Sequence, residues 1–398
     1  MMERKPKRRK LPQLAHRNLF EDLALSTIIH PSKIKKSRQS SILPKPPELT
    51  GALRPNQELT HAEILLLNQI NGPESIALHQ KSKTIYVGLK TGFIAAIEID
   101  KLRDVDCGRP LGMRFNRKYP DLLIVADAYH GFFEVNIQNE TIRQILEPGT
   151  KITHSLSRPV VHFNDFDISH DGYQLIFTEP SHRFADRDYL YAMAEHRPDG
   201  RLLHYDMRTG ILRVLLNALQ YPNGVEFDKT GKCVFFSEMG NLRILRYCFH
   251  YNTGKYTVIA RNLPGYPDNI RTASNGMLWV PLGQARLKDD SWITESPKLR
   301  DLFATALYFI QSTSEIVLFS LYIVSNALFT IVFDYLSPKY GLLLLIDPTN
   351  GTILRSFHDP SGLTISSISQ AIELNDGTVL LGGDDNSFLA RFKPSARL

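Results

Sequence analysis

Short runs of aliphatic and aromatic residues, separated by turn residues, set the rhythm of this chain. A segment opening on a small or polar residue recurs: Gly72-Pro73-Glu74-Ser75-Ile76, Gly108-Arg109-Pro110-Leu111-Gly112, Asn164-Asp165-Phe166-Asp167-Ile168, Pro222-Asn223-Gly224-Val225, Pro267-Asp268-Asn269-Ile270 and Ser367-Ile368-Ser369-Gln370-Ala371. After each copy comes a turn and then an apolar run, at 84–87, 122–125, 174–178, 233–237, 277–280 and 378–381. The turns Asp171-Gly172, Thr230-Gly231, Asn275-Gly276 and Asp376-Gly377 are hairpin signals. Third strands are expected at 201–206, 243–247 and 342–346, and fourth strands at 211–216, 256–260 and 353–357. Four short antiparallel strands repeating every 40–50 residues or so is the pattern of propeller blades. A blade cannot bury both its faces alone; neighbours around an axis cover them. A β-sandwich also has many short strands, but it does not place the same turn after the same opening segment each time. The pattern predicts an all-β fold, a six-bladed β-propeller over residues 56–398.

One spacing is too long. Between Pro267 and Ser367 there is room for two blades but only one set of strand signals. The excess, at about 284–340, is expected to be a mostly helical insertion within one blade. It contains the uncharged apolar run 316–333, interrupted only by the polar Ser320, Ser325, Asn326 and Thr330. That run is about the minimum length that spans a bilayer. It fits three roles: crossing a membrane, lying on one as part of a helical hairpin, or capping the fold.

Composition adds little about fold, since 43% hydrophobic and 22% charged residues over 398 positions is ordinary for a globular protein. Charge is more informative. The net +6 comes from residues 1–40, which carry 11 Lys+Arg against 3 Asp+Glu, while the other 358 residues carry 36 against 38. Residues 1–55 are therefore expected to form a basic, largely disordered tail able to touch an anionic surface. No nucleic-acid-binding motif stands in the body, and no nucleic acid is expected as partner. Cys107, Cys233 and Cys248 allow one bridge and lack the spacing of a zinc site. No apolar signal-peptide segment is visible at the N-terminus. Asn139 and Asn350 each open an N-glycosylation sequon.

In a propeller the first strand of each blade lines the central tunnel, so equivalent positions form a ring. Reading the repeats in register gives Glu74, Leu111, Asn164, Asn223, Asp268 and Gln370. Two carboxylates and carboxamides converging on an axis make a hard-oxygen environment that suits Ca²⁺ better than zinc or copper. Asp165 and Asn269 are candidates for neighbours of that set. Each residue alone has a structural reading: Pro222-Asn223-Gly224 is a good turn sequence, and Asp165 or Asp167 suits a strand turn. The joint placement at matching points of successive repeats is what makes a site.

The stretch from Asn164 to about Cys248 resembles the strictosidine synthase-like family, in particular its animal branch. The resemblance is carried by Phe163-Asn164-Asp165, Thr178-Glu179-Pro180-Ser181, Arg187-Asp188-Tyr189, Gly200-Arg201-Leu202-Leu203 and Tyr221-Pro222-Asn223-Gly224-Val225. The flanking Cys107-Gly108-Arg109-Pro110-Leu111-Gly112, Val125-Ala126-Asp127-Ala128-Tyr129 and Leu263-Pro264-Gly265-Tyr266-Pro267-Asp268 fit too, extending it over about residues 60–398. It implies kinship with calcium-dependent hydrolases of the paraoxonase and regucalcin-lactonase type, in which a Glu, two Asn and an Asp hold Ca²⁺. By motif these fall on Glu74, Asn164, Asn223 and Asp268. Such a metal acts as a Lewis acid on a carbonyl or phosphoryl oxygen.

Three departures shape the expected function. The condensing members of the family use a Glu where this chain has Gln370, and an amide cannot take up a proton as a carboxylate does. The paraoxonase type has His residues where this chain has Leu111 and Ala128. His130 and Tyr129, close by in sequence, are candidates to replace the base, and His162, just before the Asn164 strand, is another. The family's N-terminal anchor and the upstream partner of Cys107 are not visible. Two readings stand: a Ca²⁺-dependent hydrolase of ester or lactone substrates, or a non-catalytic membrane-associated platform with a structural calcium. The expected location is at a membrane, in the secretory pathway or at the cell surface. If residues 316–333 provide the membrane contact, their internal deletion should move the protein from the membrane fraction to the soluble fraction in vesicle flotation; unchanged flotation would remove that role.

Overall fold

The computed structural model of the chain describes residues 42–97, 108–249, 254–288, 295–300, 302, 305 and 339–395. Its strands form six antiparallel sheets. The first strand, β1 (Glu63–Leu65), is used last. Blade 1 holds β2 (Pro73–Leu78), β3 (Ile85–Leu89) and β4 (Ile94–Ile97), and blade 2 holds β5 (Pro110–Phe115), β6 (Leu122–Asp127), β7 (Gly131–Asn136) and β8 (Thr141–Leu146). Blade 3 contains β9 (Phe166–Ile168), β10 (Gln174–Glu179), the short helix α1 (Tyr189–Glu195), β11 (Gly200–Asp206) and β12 (Ile211–Leu219). Blade 4 contains β13 (Pro222–Phe227), β14 (Cys233–Glu238), β15 (Arg243–Cys248) and β16 (Thr257–Ala260). Blade 5 contains β17 (Gly265–Pro267), β18 (Arg271–Thr272), β19 (Leu278–Ala285), β20 (Gly341–Ile346) and β21 (Ile353–Asp359). Blade 6 contains β22 (Gln370–Glu373), β23 (Val379–Gly382) and β24 (Leu389–Phe392), completed by β1 on the outer edge of β24. The innermost strands touch in the cyclic order β2, β5, β9, β13, β18, β22 and back to β2. This is the six-bladed β-propeller that the repeats predict.

The core is a set of wedges, one at each seam. Along β20, Leu342, Leu344 and Ile346 pack towards blade 4, while Leu343 and Leu345 pack towards blade 6. In β10, Leu175 and Phe177 face blade 2 and Ile176 faces blade 4. Alternate side chains go to opposite faces of a strand, and here both faces are buried, so the strands read as unbroken apolar runs. Phe132, Phe163, Phe166 and Phe177 interlock edge-on and stacked at the seam of blades 2 and 3. The expected hairpin turns form, with Gly172 at φ 77° and Gly231 at φ 67°, the left-handed region that glycine enters without penalty.

The chain closes its ring at a place the repeat did not reveal. β1 pairs with β24 with Glu63 opposite Arg391, so the first strand completes the last blade. Residues ahead of the expected start at 56 also pack: Leu43 is buried with Leu242 and Tyr266, and Leu53 joins the seam of blades 4 and 5. Asn56, Ser356 and His358 lock that segment to β21. The long excess leaves β19 and returns as β20, so residues 267–367 form one blade with an insertion. Residues 297–300 are helical; the run 316–333 and Cys107 lie outside the described residues. Among the described residues no helix is long and apolar enough to cross a membrane. Cys233 and Cys248, directly opposite on β14 and β15, form a disulfide.

Two histidines are buried as neutral parts of this scaffold. His358 Nδ1 meets the Tyr340 hydroxyl at 2.8 Å and Nε2 meets Ser356 Oγ at 2.7 Å, while His196 Nε2 meets the Gly240 carbonyl at 2.7 Å. Burial lowers both from 6.5 to about 4. The unfolded chain therefore binds protons between pH 6.5 and about 4 that the folded chain refuses, so their contribution is full above pH 6.5 and is lost on acidification through that window. Urea midpoints should fall across that range, and the fall should be shallower in H358Q. Equal pH slopes for H358Q and the parent chain would contradict this.

Candidate functional site

Glu74, Asn164, Asn223 and Asp268 all lie where the innermost strands begin, at one end of the tunnel, and all are at least 93 % buried. Glu74 sits in β2 and Asn223 in β13, both within bulges that interrupt the register, between Pro73 and Ser75 and between Pro222 and Val225. Asp268 follows the bulge of β17 and precedes β18. A bulge bends its strand and re-aims the side chain there, so these residues leave the ladder and turn to the axis. The structure also explains Pro222-Asn223-Gly224. It is no turn: a Cβ on Gly224 would lie 2.4 Å from Ile270 N and 2.5 Å from Asp268 O, so glycine admits the next blade. The ring position of blade 2 is filled by the buried, apolar Leu111.

Direct ties connect part of this set. Asn269, completely buried, donates from Nδ2 to Glu74 Oε1 at 3.3 Å, and the Asn223 amide lies against Asp268. Burial, then Asp268 and Asp384, push Glu74 well above the usual carboxylate range, with Arg109 opposing. Burial, then Asp384 and Asp165, do the same to Asp268, with the Asn223 amide and Arg271 opposing. Four buried oxygens, Oδ1 of Asn164, Asn223, Asp268 and Asn269, have no hydrogen-bond partner. Leaving a buried acceptor unpaired costs about 1–3 kcal/mol. Unpaired oxygens beside two mutually repelling carboxylates fit a hard, oxygen-seeking cation; the set offers neither sulfur nor imidazole.

A polar rim surrounds the set. Arg109 binds Asp384 through Nη2 and stands with Nε 3.6 Å from Asp186. Tyr129 donates to Asp186 at 3.3 Å, and Asp186 belongs to the loop between β10 and β11 that also carries α1 and Tyr189. That loop is pinned by Arg183 on Glu195 and by His196 on Gly240. His162 is 1 % exposed, 3.8 Å from Asp186 and edge-on to Tyr221 with ring centroids 6.5 Å apart. Burial lowers it from the usual imidazole value. The structure does not bring His130 into this group: it is exposed on the β6–β7 turn, its backbone N–H bound to Asp127.

Asp165 belongs to a different layer. Arg271 grips both its oxygens, at 2.7 and 3.0 Å, and the Val225 N–H adds a third bond. Arg271 also donates to Gln370 Oε1 at 3.0 Å, while Gln370 Nε2 donates to the Ile76 carbonyl at 2.7 Å. Gln370 is thus a structural tie between three blades. Arg114 pairs with Glu226 at 2.8 Å and Arg117 with Asp167 at 2.8 Å. Sequence reading missed Arg114 and Arg271. For Arg114 a signal was available: a single arginine in the apolar innermost run Pro110–Phe115, which a buried axis tolerates only when opposed by carboxylates. The sequon residues Asn139 and Asn350 sit exposed in the β7–β8 and β20–β21 hairpins, at the end of the ring opposite the site. The insertion leaves β19 and rejoins β20 at the site end.

These features define a six-bladed propeller with an acid- and amide-lined site at one tunnel mouth. Residues 164–252 match the strictosidine synthase family model, and residues 51–97 match the model for the N-terminal part of strictosidine synthase-like proteins. The chain is 32% identical to the rat adipocyte plasma membrane-associated protein over 369 residues, covering 89% of this chain and 91% of that one. It is 33% identical to the human protein of the same name, covering 88% and 82%. The chain belongs to the strictosidine synthase-like family. Among solved structures, a gluconolactonase from Xanthomonas campestris superposes with a TM-score of 0.55 at 13% identity, covering 89% of this chain and 98% of that one. The calcium-binding protein regucalcin from Agrobacterium tumefaciens gives 0.53 at 12%, covering 84% and 97%. At these identities the likeness is one of fold.

Removing one member of the Arg271–Asp165 pair strands a buried charge. R271M should cost about 3–5 kcal/mol in urea unfolding, and adding D165N should restore part of it. A loss below 1 kcal/mol, roughly the value of a surface pair, would show the axis to be hydrated.

Proposed function

We propose that this protein is a membrane-associated, Ca²⁺-dependent hydrolase of ester or lactone bonds. One observation carries the reading: buried carboxamide and carboxylate oxygens without partners, beside the Glu74 carboxyl that burial and Asp268 push upward, at the mouth of a propeller tunnel. Glu74, Asn164, Asn223 and Asp268 would hold the cation, with Asn269 fixing Glu74. Bound there, Ca²⁺ would polarise a substrate carbonyl and stabilise developing negative charge on its oxygen. The chain's own residues do the rest. His162, kept neutral by burial, is the group able to accept a proton from water, with Asp186 beside it to stabilise the resulting imidazolium. Tyr129, hydrogen-bonded to Asp186, and Tyr221, edge-on to His162, would flank the leaving group.

The name of the mammalian relatives supports a membrane location, with residues 316–333 as the proposed contact. The insertion joins the ring at the site end, which would set the tunnel mouth near the bilayer and Asn139 and Asn350 away from it. A disulfide and two exposed sequons suit the secretory pathway or cell surface.

A second reading has its own support. Leu111 and Ala128 are buried apolar residues where the hydrolases have His, which favours a non-catalytic platform with a structural calcium. Metal analysis, melting curves and an ester–lactone panel separate the two. At 100 times its Kd, Ca²⁺ should stabilise the fold by about 2.7 kcal/mol, and D268N should abolish the shift. Aryl-ester or lactone turnover should vanish in EGTA and in N223A. H162Q should lower kcat by about 10²-fold with Ca²⁺ affinity retained. A calcium-loaded protein inert across the panel would leave the platform reading; no calcium-dependent shift at all would sink both.

A further inference from the structure

A repeated contact crosses the blade seams at the site end. Thr178 in β10 donates from Oγ1 to the Asn223 carbonyl at 2.5 Å, with a longer branch to the Asp165 carbonyl at 3.3 Å. Ser237 in β14 donates to the Asp268 carbonyl at 3.0 Å. Ser369, just before β22, donates to the Glu74 carbonyl at 2.9 Å. The first two occupy the same place in consecutive blades. Each precedes a buried glutamate, Glu179 or Glu238, that binds an arginine on the next strand, Arg201 or Arg243, and accepts the N–H of Val161 or Gln220. All three hydroxyls are at least 98 % buried.

The carbonyls they reach belong to three of the four candidate cation ligands. Glu74 and Asn223 lie in bulges and Asp268 just beyond one, where the regular ladder is interrupted. A hydroxyl from the neighbouring blade supplies the missing bond. It fixes the peptide plane next to the ligand residue, and with it the direction of the Cα–Cβ bond. Elsewhere on the ring the device is weaker or absent. Ser75 reaches the Pro110 carbonyl only at 3.5 Å, and the ring residue there is Leu111. At the next seam the residue facing Gly112 across the ladder is Ala126, and a Cβ on Gly112 would lie 2.8 Å from the Asn164 carbonyl, leaving no room for a hydroxyl. The strong ties thus fall at three of the four candidate ligands, Asn223, Asp268 and Glu74, and spare Asn164 and the apolar Leu111.

We propose that Thr178, Ser237 and Ser369 are positioning residues for the cation site. Each locks the backbone of a ligand in the following blade, so that the donor oxygens are held apart and aimed before the cation arrives. This rests on the reading of Glu74, Asn164, Asn223 and Asp268 as a Ca²⁺ site. Groups that orient metal ligands typically contribute 10–100-fold in affinity.

The test is calorimetric titration of CaCl₂ into the chelator-treated full-length protein, with melting curves in EGTA alongside. T178V and S237A should each weaken Ca²⁺ binding by about 10-fold, S369A should weaken it too, and T178S should restore it. S75A should bind as the parent does. A role limited to holding blades together would lower Tm in EGTA and leave Ca²⁺ affinity unchanged in T178V and S237A; that result overturns the inference. S237A, the smallest deletion, decides the matter if T178V does not fold. A parent protein that binds no Ca²⁺ would instead overturn the underlying reading of the site.

Discussion

Closing six sheets on one axis forces every innermost strand to deliver its side chains into the same narrow space, and the rest of the molecule follows from how that space is neutralised. The contacts run from β2 round to β22 and back to β2, and the pairing of β1 with β24 locks the circle. Residues far apart in the chain, such as Glu74 and Asp268, become electrostatic neighbours. The side chains on the axis are buried, so each polar group there needs a partner from another blade or an ion.

Two layers meet this constraint in opposite ways. In the lower layer, Arg114, Arg117 and Arg271 face Asp165, Asp167 and Glu226, and the charges cancel within hydrogen-bond distance. Gln370 completes that layer as a tie, which explains why an amide is suited to its position. In the upper layer, burial holds Glu74 and Asp268 towards the protonated state, helped by Asp268 at Glu74 and by Asp384 at both, and carboxamide oxygens beside them stay unpaired. A self-satisfied network serves as support; an unsatisfied one invites a ligand. The hydroxyls of Thr178, Ser237 and Ser369 join the two roles, spending buried donors on the backbone that presents the unsatisfied groups.

The site end of the ring gathers what distinguishes this chain. The rim of Arg109, Asp186 and Asp384, the loop carrying α1, and both ends of the insertion all lie there. The opposite end carries short hairpins, two of which hold the sequon asparagines. This polarity follows from strand direction alone. Innermost strands all start at the same end, so bulges that re-aim side chains and long connections that shape a mouth are stacked on one side.

The sequence by itself determined the blade pattern, because burial on both faces of a strand leaves unbroken apolar runs and hairpins need glycine at left-handed positions. It also marked Glu74, Asn164, Asn223 and Asp268, since a repeat places equivalent residues at equivalent points of a ring. Only the tertiary structure decided the closure by β1, the disulfide partner of Cys233, the turning of Asp165 to Arg271, the exposure of His130 and the hydroxyl ties across the seams. Each of these depends on which blade follows which and on where a bulge turns a side chain, and those contacts between distant segments leave no local period for a sequence to display.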